Sequence, residues 1–231
     1  MSKYHAEILN KNHFIQVVNL ITHAFCDHEP MTKYLGIAYE EFIPFAELMV
    51  QKAIQDQLSV VILDKKKVIA CSIVEDIADP LDISTDIDPR FKFIFTLLEH
   101  LGTDFFTEKH FSKGHLSHLF ITAVHEQYHG QGLSRKINFE SIKLARERAY
   151  DFMCCEFTHH YNEHGTIKNL ENGSFLINRC RYKDFVFDNK KPFESLEGEA
   201  SAFIWELRPQ ARLQYHIKVQ KELDIQYLNT K

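Results

Sequence analysis

Apolar residues recur along the chain with two different periods, and the switches between them divide it into elements. A short strand over Tyr4–Leu9 opens the chain, and Asn10 or Asn12 then caps a helix. Phe14, Val17, Val18, Ile21 and Phe25 fall on one face at helical spacing, and Phe42, Phe45, Ala46, Met49 and Ala53 repeat that spacing in a second helix. The β-rich runs SVVILD and KVIACSIVED follow, joined by Lys65-Lys66 as a hairpin. A polar stretch, Asp76 to Pro89, holds two prolines and reads as a long loop inside a domain, because periodic segments continue on both sides. Asp88-Pro89 then starts a helix carrying Phe91, Ile94, Phe95, Leu98 and Leu101 along one side.

The second half is a strand His115–Val124, a helix with Leu133, Ile137, Ser141, Ala145 and Ala149 stacked, and a strand Phe152–Thr158. RYKDFVF (Arg181 to Phe187) and EASAFIWEL (Glu199 to Leu207) read as the last two strands, and a polar tail with some helix begins near residue 209. The order is β α α β β α β α β (α) β β. An α/β fold of the α+β kind, with a mixed central sheet of about seven strands and helices on both faces, is the natural layering. The expectation is a single domain over 1–231, with the tail from about 209 outside its core.

Composition narrows the classes. A net charge of −5 argues against a nucleic-acid partner. No run of about 18 apolar residues suggests a membrane span. MSKYHAEILN lacks the apolar region of a secretory leader. Five cysteines, an odd number without CxxC spacing, fit reduced thiols and a cytoplasmic protein. Cys154-Cys155 lies in an apolar run and reads as core rather than as a redox centre.

With 8 glycines in the whole chain, two of them, Gly130 and Gly132, stand one residue apart in HEQYHGQGLSRK, between a strand and a helix. A turn of this kind aims the unpaired first N–H groups of the helix outward, and with the helix dipole they form an anion site. A side chain at either glycine would stand between those amides and a phosphate. On the glycines alone an ordinary tight turn is an equal reading. The GxxxxGK[ST] loop is absent, and the GxGxxG fingerprint fails because Arg135 replaces its third glycine.

Gln127-Tyr128-His129-Gly130-Gln131-Gly132, with its preceding strand and following helix, resembles the Q/R-x-x-G-x-G/A loop of the GNAT acetyltransferase superfamily. The element order agrees from Tyr4 to about Leu207. The resemblance implies a GNAT fold with splayed fourth and fifth strands and acetyl-CoA as cofactor. It implies that the amides of Gln127, Tyr128, His129, Gly130, Gln131, Gly132, Leu133 and Ser134 hold the pyrophosphate, and that the backbone of Phe120, Ile121 and Thr122 bonds the pantetheine arm. Phe25-Cys26-Asp27-His28-Glu29-Pro30-Met31, Asp88-Pro89-Arg90-Phe91-Lys92 with Leu97-Leu98-Glu99-His100, and Thr158-His159-His160-Tyr161-Asn162 resemble segments of insect dopamine-type arylalkylamine N-acyltransferases. The implied activity is transfer of an acetyl group to a small primary amine, in a monomer or homodimer. A GNAT-fold CoA sensor or interaction protein without transfer is the alternative.

Amine acetylation needs a group to take the ammonium proton and another to stabilise the leaving thiolate. By position Glu29 is a loop carboxylate; the resemblance gives it the role of general base. His118 is the second candidate, because serotonin N-acetyltransferases carry a catalytic histidine at the matching position. Strict alternation places His118, Phe120 and Thr122 on one strand face; a half-buried structural histidine is an equal reading. Thr158 and Asn162 stand where the relatives have serines, and Asn162 cannot serve as a hydroxyl acid. Tyr161 is then the nearest hydroxyl, or else a packing tyrosine. His160 and His164 lack the further ligands of a metal site, so no metal is expected. Phe25, Met31, Tyr34, Leu35, Phe91 and Phe95 are expected to contribute in part to an apolar acceptor pocket, converging with Glu29-Pro30 and Tyr161. Carboxylates beyond Glu29 and Asp27 are few there, which favours an aryl or alkyl amine over a highly charged polyamine.

Overall fold

The computed structural model describes residues 3–83, 87–102, 111–168, 170 and 174–208. Seven strands form one sheet: β1 (His5–Ile8), β2 (Val60–Asp64), β3 (Lys67–Asp76), β4 (Leu116–Val124), β5 (Phe152–Phe157), β6 (Phe175–Arg181) and β7 (Glu199–Glu206). Their order across the sheet is β1-β2-β3-β4-β5-β7-β6. Every neighbouring pair is antiparallel except β4 and β5, which run parallel.

Helices cover both faces. Val61 and Leu63 of β2 join the cluster built by α1 (Phe14–His28), α3 (Tyr39–Asp56) and α4 (Phe91–Gly102), whereas Val60 and Ile62 join Leu133, Ile137 and Leu144 of α5 (Leu133–Glu147). Strands buried on both faces read as continuous apolar runs, which explains VVIL and VIACSIV. A short helix α2 (Pro30–Tyr34) follows α1, and α6 (His160–Ile167) packs between α5 and β5. Asn10 caps as expected, accepting the Asn12 N–H at 3.0 Å, and Asp88 accepts the Arg90 N–H at 2.9 Å just ahead of α4.

Two boundaries differ from the sequence reading. RYKDFVF is not a strand: β6 ends at Arg181, and Tyr182 to Asp184 form a 3-10 turn. The strand lies at the sheet edge, with Phe175 and Leu176 exposed, so it lacks an apolar alternation to betray it. The apolar signal of RYKDFVF comes instead from Tyr182 and Phe185, which pack around the buried Phe193. The second difference is Ala149, which lies beyond α5 in a left-handed conformation, φ 72°, rather than on its face. The tail after residue 208 lies outside the described residues. Among the described residues no helix is long and apolar enough to cross a membrane.

One buried polar pair ties α5 to the sheet. Ser141 donates to the Ile137 carbonyl at 2.9 Å, so the Ser72 hydroxyl donates to Ser141 at 2.5 Å. Both residues are fully buried. Ser141→Ala strands the Ser72 hydroxyl and is expected to cost about 1–3 kcal/mol, while Ser72→Ala with Ser141→Ala recovers most of that loss. Urea unfolding of the three variants checks the ranking; a double variant less stable than Ser141→Ala contradicts it.

Candidate active site

The site starts from a place where two strands stop pairing. β4 and β5 are joined only over Leu116↔Phe152, Ser117↔Met153 and His118↔Cys154. Beyond that point β4 follows β3 to Val124, and β5 follows β7. The divergence begins beside a bulge. Ile121 pairs with Ile73 and Leu119 with Val74, so Phe120 is an extra residue on β4. Bulges of this kind bend a strand and increase its twist. The wedge leaves the β5-facing backbone of Phe120, Ile121 and Thr122 without a strand partner, and all three residues line the chamber inside it.

The bulge also corrects the expected alternation. Phe120 and Ile121 both pack with the α1, α3 and α4 cluster, while the Thr122 hydroxyl donates to Asn138 of α5 at 2.8 Å. His118, Phe120 and Thr122 therefore do not share one face. The His118 ring packs tilted against Phe120, with ring centroids 5.2 Å apart, and lines an outer groove rather than the chamber. Its Nδ1 meets Glu75 at 3.0 Å and its Nε2 meets Glu156 at 2.6 Å. Burial alone pushes an imidazole pKa down, but the charge and hydrogen bond of Glu156, with help from Glu75, raise it to about 10. His118 is thus a held imidazolium with both nitrogens engaged.

At the wide end of the wedge lies the glycine turn. His125 caps a 3-10 turn, Glu126–Tyr128, which uses the amides of Gln127, Tyr128 and His129 internally. The first intrahelical bond of α5 runs from Lys136 N–H to Gly132 C=O. Among the described residues no partner occupies the amides between, Gly130 to Ser134, so the outward set is shorter than Gln127 to Ser134. Gly130 and Gly132 have φ of 74° and 72°, a region that strongly favours glycine. A Cβ built on either meets nothing within 4 Å, so the space above them is open. Tyr128, His129, Leu133 and Ser134 line the adjoining cleft, about 690 Å³, whereas Gln127 and Gln131 stand outside its wall. Gln131 accepts a hydrogen bond from Tyr4 instead. Geometry and donor set suit a phosphate group.

Glu29 stands across the wedge. It caps α2, with Pro30 as the first helical residue, a pattern that fixes its backbone. Its carboxylate accepts the Met31 N–H at 3.2 Å, the Thr32 N–H at 2.7 Å and the Thr32 hydroxyl at 2.7 Å. The side chain is nonetheless buried, and desolvation raises its pKa against the opposing pull of Thr32, Met31 and the nearby Thr158 hydroxyl. Thr32, fully buried, is a partner that sequence reasoning missed, because Glu29 followed three residues later by threonine reverses the usual order of a capping box.

Glu29, Thr158 and Asn162 line both the cleft and a narrow inner chamber of about 90 Å³. Tyr161 reaches only the cleft; it is 73% exposed and stacks on His159, with ring centroids 5.1 Å apart. The chamber is walled by Phe25, Met31, Phe91 and Phe95 from the expected set, but not by Tyr34 or Leu35. Asp27 is turned away, bonded to the Tyr39 hydroxyl at 2.7 Å. On its far side the chamber shares Phe95, Leu98, Phe120 and Glu156 with the outer groove, about 730 Å³.

No protein-family model and no curated protein matches the chain. Solved structures do. The C-terminal condensation domain of Ebony, in complex with beta-alanyl-dopamine, is similar over 89% of this chain and 100% of its own, with a TM-score of 0.79 at 16% identity. Arylalkylamine N-acetyltransferase 2 from Aedes aegypti matches over 90% and 100%, with a TM-score of 0.73 at 17% identity. The Drosophila melanogaster polyamine N-acetyltransferase that forms N-acetylagmatine matches over 88% and 99%, with a TM-score of 0.69 at 15% identity. Likeness over nearly the whole length at such low identity establishes architecture, and the chain has the GNAT fold of the N-acetyltransferases.

Proposed function

We propose that this protein is an acetyl-CoA-dependent N-acetyltransferase acting on a small primary amine, with Glu29 as general base. The observation that carries this reading is a buried carboxylate facing a chamber whose other mouth opens on unpaired amides at the start of α5. Those amides, Gly130 to Ser134, would hold the pyrophosphate, and the free edge of β4 at Phe120, Ile121 and Thr122 would take the pantetheine arm. Acetyl-CoA bound there supplies a thioester, whose acyl carbon gains the amine nitrogen and loses the sulfur.

Glu29 takes the proton of the incoming ammonium. Its raised pKa suits that task, because a base works best when its pKa approaches the working pH. Met31 and Thr32 orient the carboxylate. Thr158 lines the same chamber and sets its hydroxyl beside Glu29, so it passes the proton toward the departing sulfur; Tyr161 serves from the cleft side. The Thr158 carbonyl accepts the Tyr182 hydroxyl at 2.5 Å, which holds the residue in place. His118, with both nitrogens held, acts as a fixed cation and not as a base.

Glu29→Gln is expected to cut kcat by roughly 10²–10⁴ with little change in the KM for acetyl-CoA. The base must be ionised, so wild-type kcat should fall as pH drops through the raised pKa of Glu29, and this acid limb should vanish in the variant. A carboxyl with a raised pKa binds more protons folded than unfolded, so it costs stability as pH rises through that interval. Glu29→Gln should therefore not lower the neutral-pH melting temperature. Rates retained in Glu29→Gln, read as thiol release, would remove the base assignment.

Gly130→Asp and Gly132→Asp are each expected to abolish CoA binding in calorimetry. The carboxylate would enter open space above the amides and repel the pyrophosphate. Gly132→Ala carries the same backbone strain, of order 1 kcal/mol, without the charge, and should bind CoA more tightly than Gly132→Asp. Equal, undiminished affinity in all three variants would refute the phosphate-loop reading.

A further inference from the structure

The wall between the inner chamber and the outer groove is apolar except at one residue. Of the four side chains that line both spaces, Phe95, Leu98 and Phe120 are hydrophobic, and Glu156 is the exception. An acid in the middle of FMCCEF, a core strand, needs a reason. Its Oε2 is bonded to His118, but among the described residues nothing bonds Oε1. The side chain is only 10% exposed, and it lines both spaces, so its second oxygen has the cavity rather than protein for a neighbour.

The charge around it is uneven. His118 contributes one positive charge, and Glu75 and Glu156 one negative charge each, so the buried group carries a net charge of about −1. The second Glu75 oxygen is already used, accepting the Leu81 N–H at 2.9 Å. Glu156 Oε1 is thus where the excess charge meets the cavity. Phe95 and Phe120 line the same two spaces, and the faces of aromatic rings favour a cation over an anion.

We infer that Glu156 is a specificity residue for the acceptor, receiving a second cationic group at the end of the molecule opposite the amine that meets Glu29. The acceptor class is a diamine or an amino-guanidine: one reacting amine, an apolar spacer against the chamber's phenylalanines, and one distal positive charge. This inference rests on the acetyltransferase reading and names its substrate class. It also revises the acid count made from the roofing segments alone, since Asp27 faces away and Glu156 comes from the sheet. A single excess charge matches one distal cation and not the several of a long polyamine.

The test compares matched amines on the wild-type chain with acetyl-CoA: butylamine with 1,4-diaminobutane, pentylamine with 1,5-diaminopentane, hexylamine with 1,6-diaminohexane, and agmatine and phenethylamine alongside. The expected result is a kcat/KM for at least one diamine, or for agmatine, roughly 10–100-fold above that of the matched monoamine, after allowing for two equivalent amines. In Glu156→Gln that ratio should fall toward one, while Glu156→Asp should keep part of it; circular dichroism melts confirm that each variant is folded. Monoamines or phenethylamine matching or exceeding every dication would overturn the inference and leave the acetyltransferase reading standing. Thiol release with no amine at all would instead count against that reading. In that case calorimetric titration of 1,5-diaminopentane and pentylamine into the wild-type chain decides the subsite alone, and equal affinities overturn it.

Discussion

Two adjacent parallel strands that share only three paired residues govern the rest of this molecule. A longer β4–β5 ladder would close the sheet and leave no interior space. The separation is sustained from both sides: β3 holds β4 through the bulge at Phe120, and β7 holds β5 along its whole length. His118 sits at the last paired position and bonds to Glu75 on β3 and Glu156 on β5. One imidazolium thus links three strands at the apex of the wedge. Its charge is set by its two neighbours, which explains why a histidine here is a structural cation before it is anything else.

Glu29 shows how a costly group is retained. A carboxylate removed from water is expensive unless hydrogen bonds replace its hydration. Thr32 and Met31 supply three such bonds, and α2 is a device five residues long for presenting them. The balance between burial and these bonds leaves the group ionisable yet with a raised pKa. That is a different solution from the one at His118, where paired opposite charges replace water.

What could be read from the chain followed the range of the interactions involved. The β4–glycine–α5 unit was legible because local backbone geometry demands glycine at Gly130 and Gly132. Glu29 was legible through the Glu-Pro pair and the family resemblance. The partners of His118 were not, since Glu75 and Glu156 lie 43 and 38 residues away and meet only through strand order. The bulge at Phe120 was hidden because LFITAV is apolar apart from Thr122, and so alternation was assumed to be unbroken. The position of β6 was missed because an exposed edge strand needs no apolar pattern. Glu156 did leave a trace, as a lone charge within an apolar run.

On the proposed reading, the donor half of this site is built from main chain: open amides at the head of α5 and an unpaired edge of β4. Main-chain groups are identical in every residue, so this half restricts conformation far more than composition. It asks for glycine where φ is positive and for a bulge where the strand must bend, and for little else. Side chains around it are then at liberty to drift, provided that the sheet keeps its gap. An architecture shared at a TM-score of 0.79 while five residues in six differ is the expected outcome of such a site. The side chains of the proposed acceptor half, Glu29, Glu156 and the aromatic rings, have no such liberty, and a change among them would be a change of chemistry.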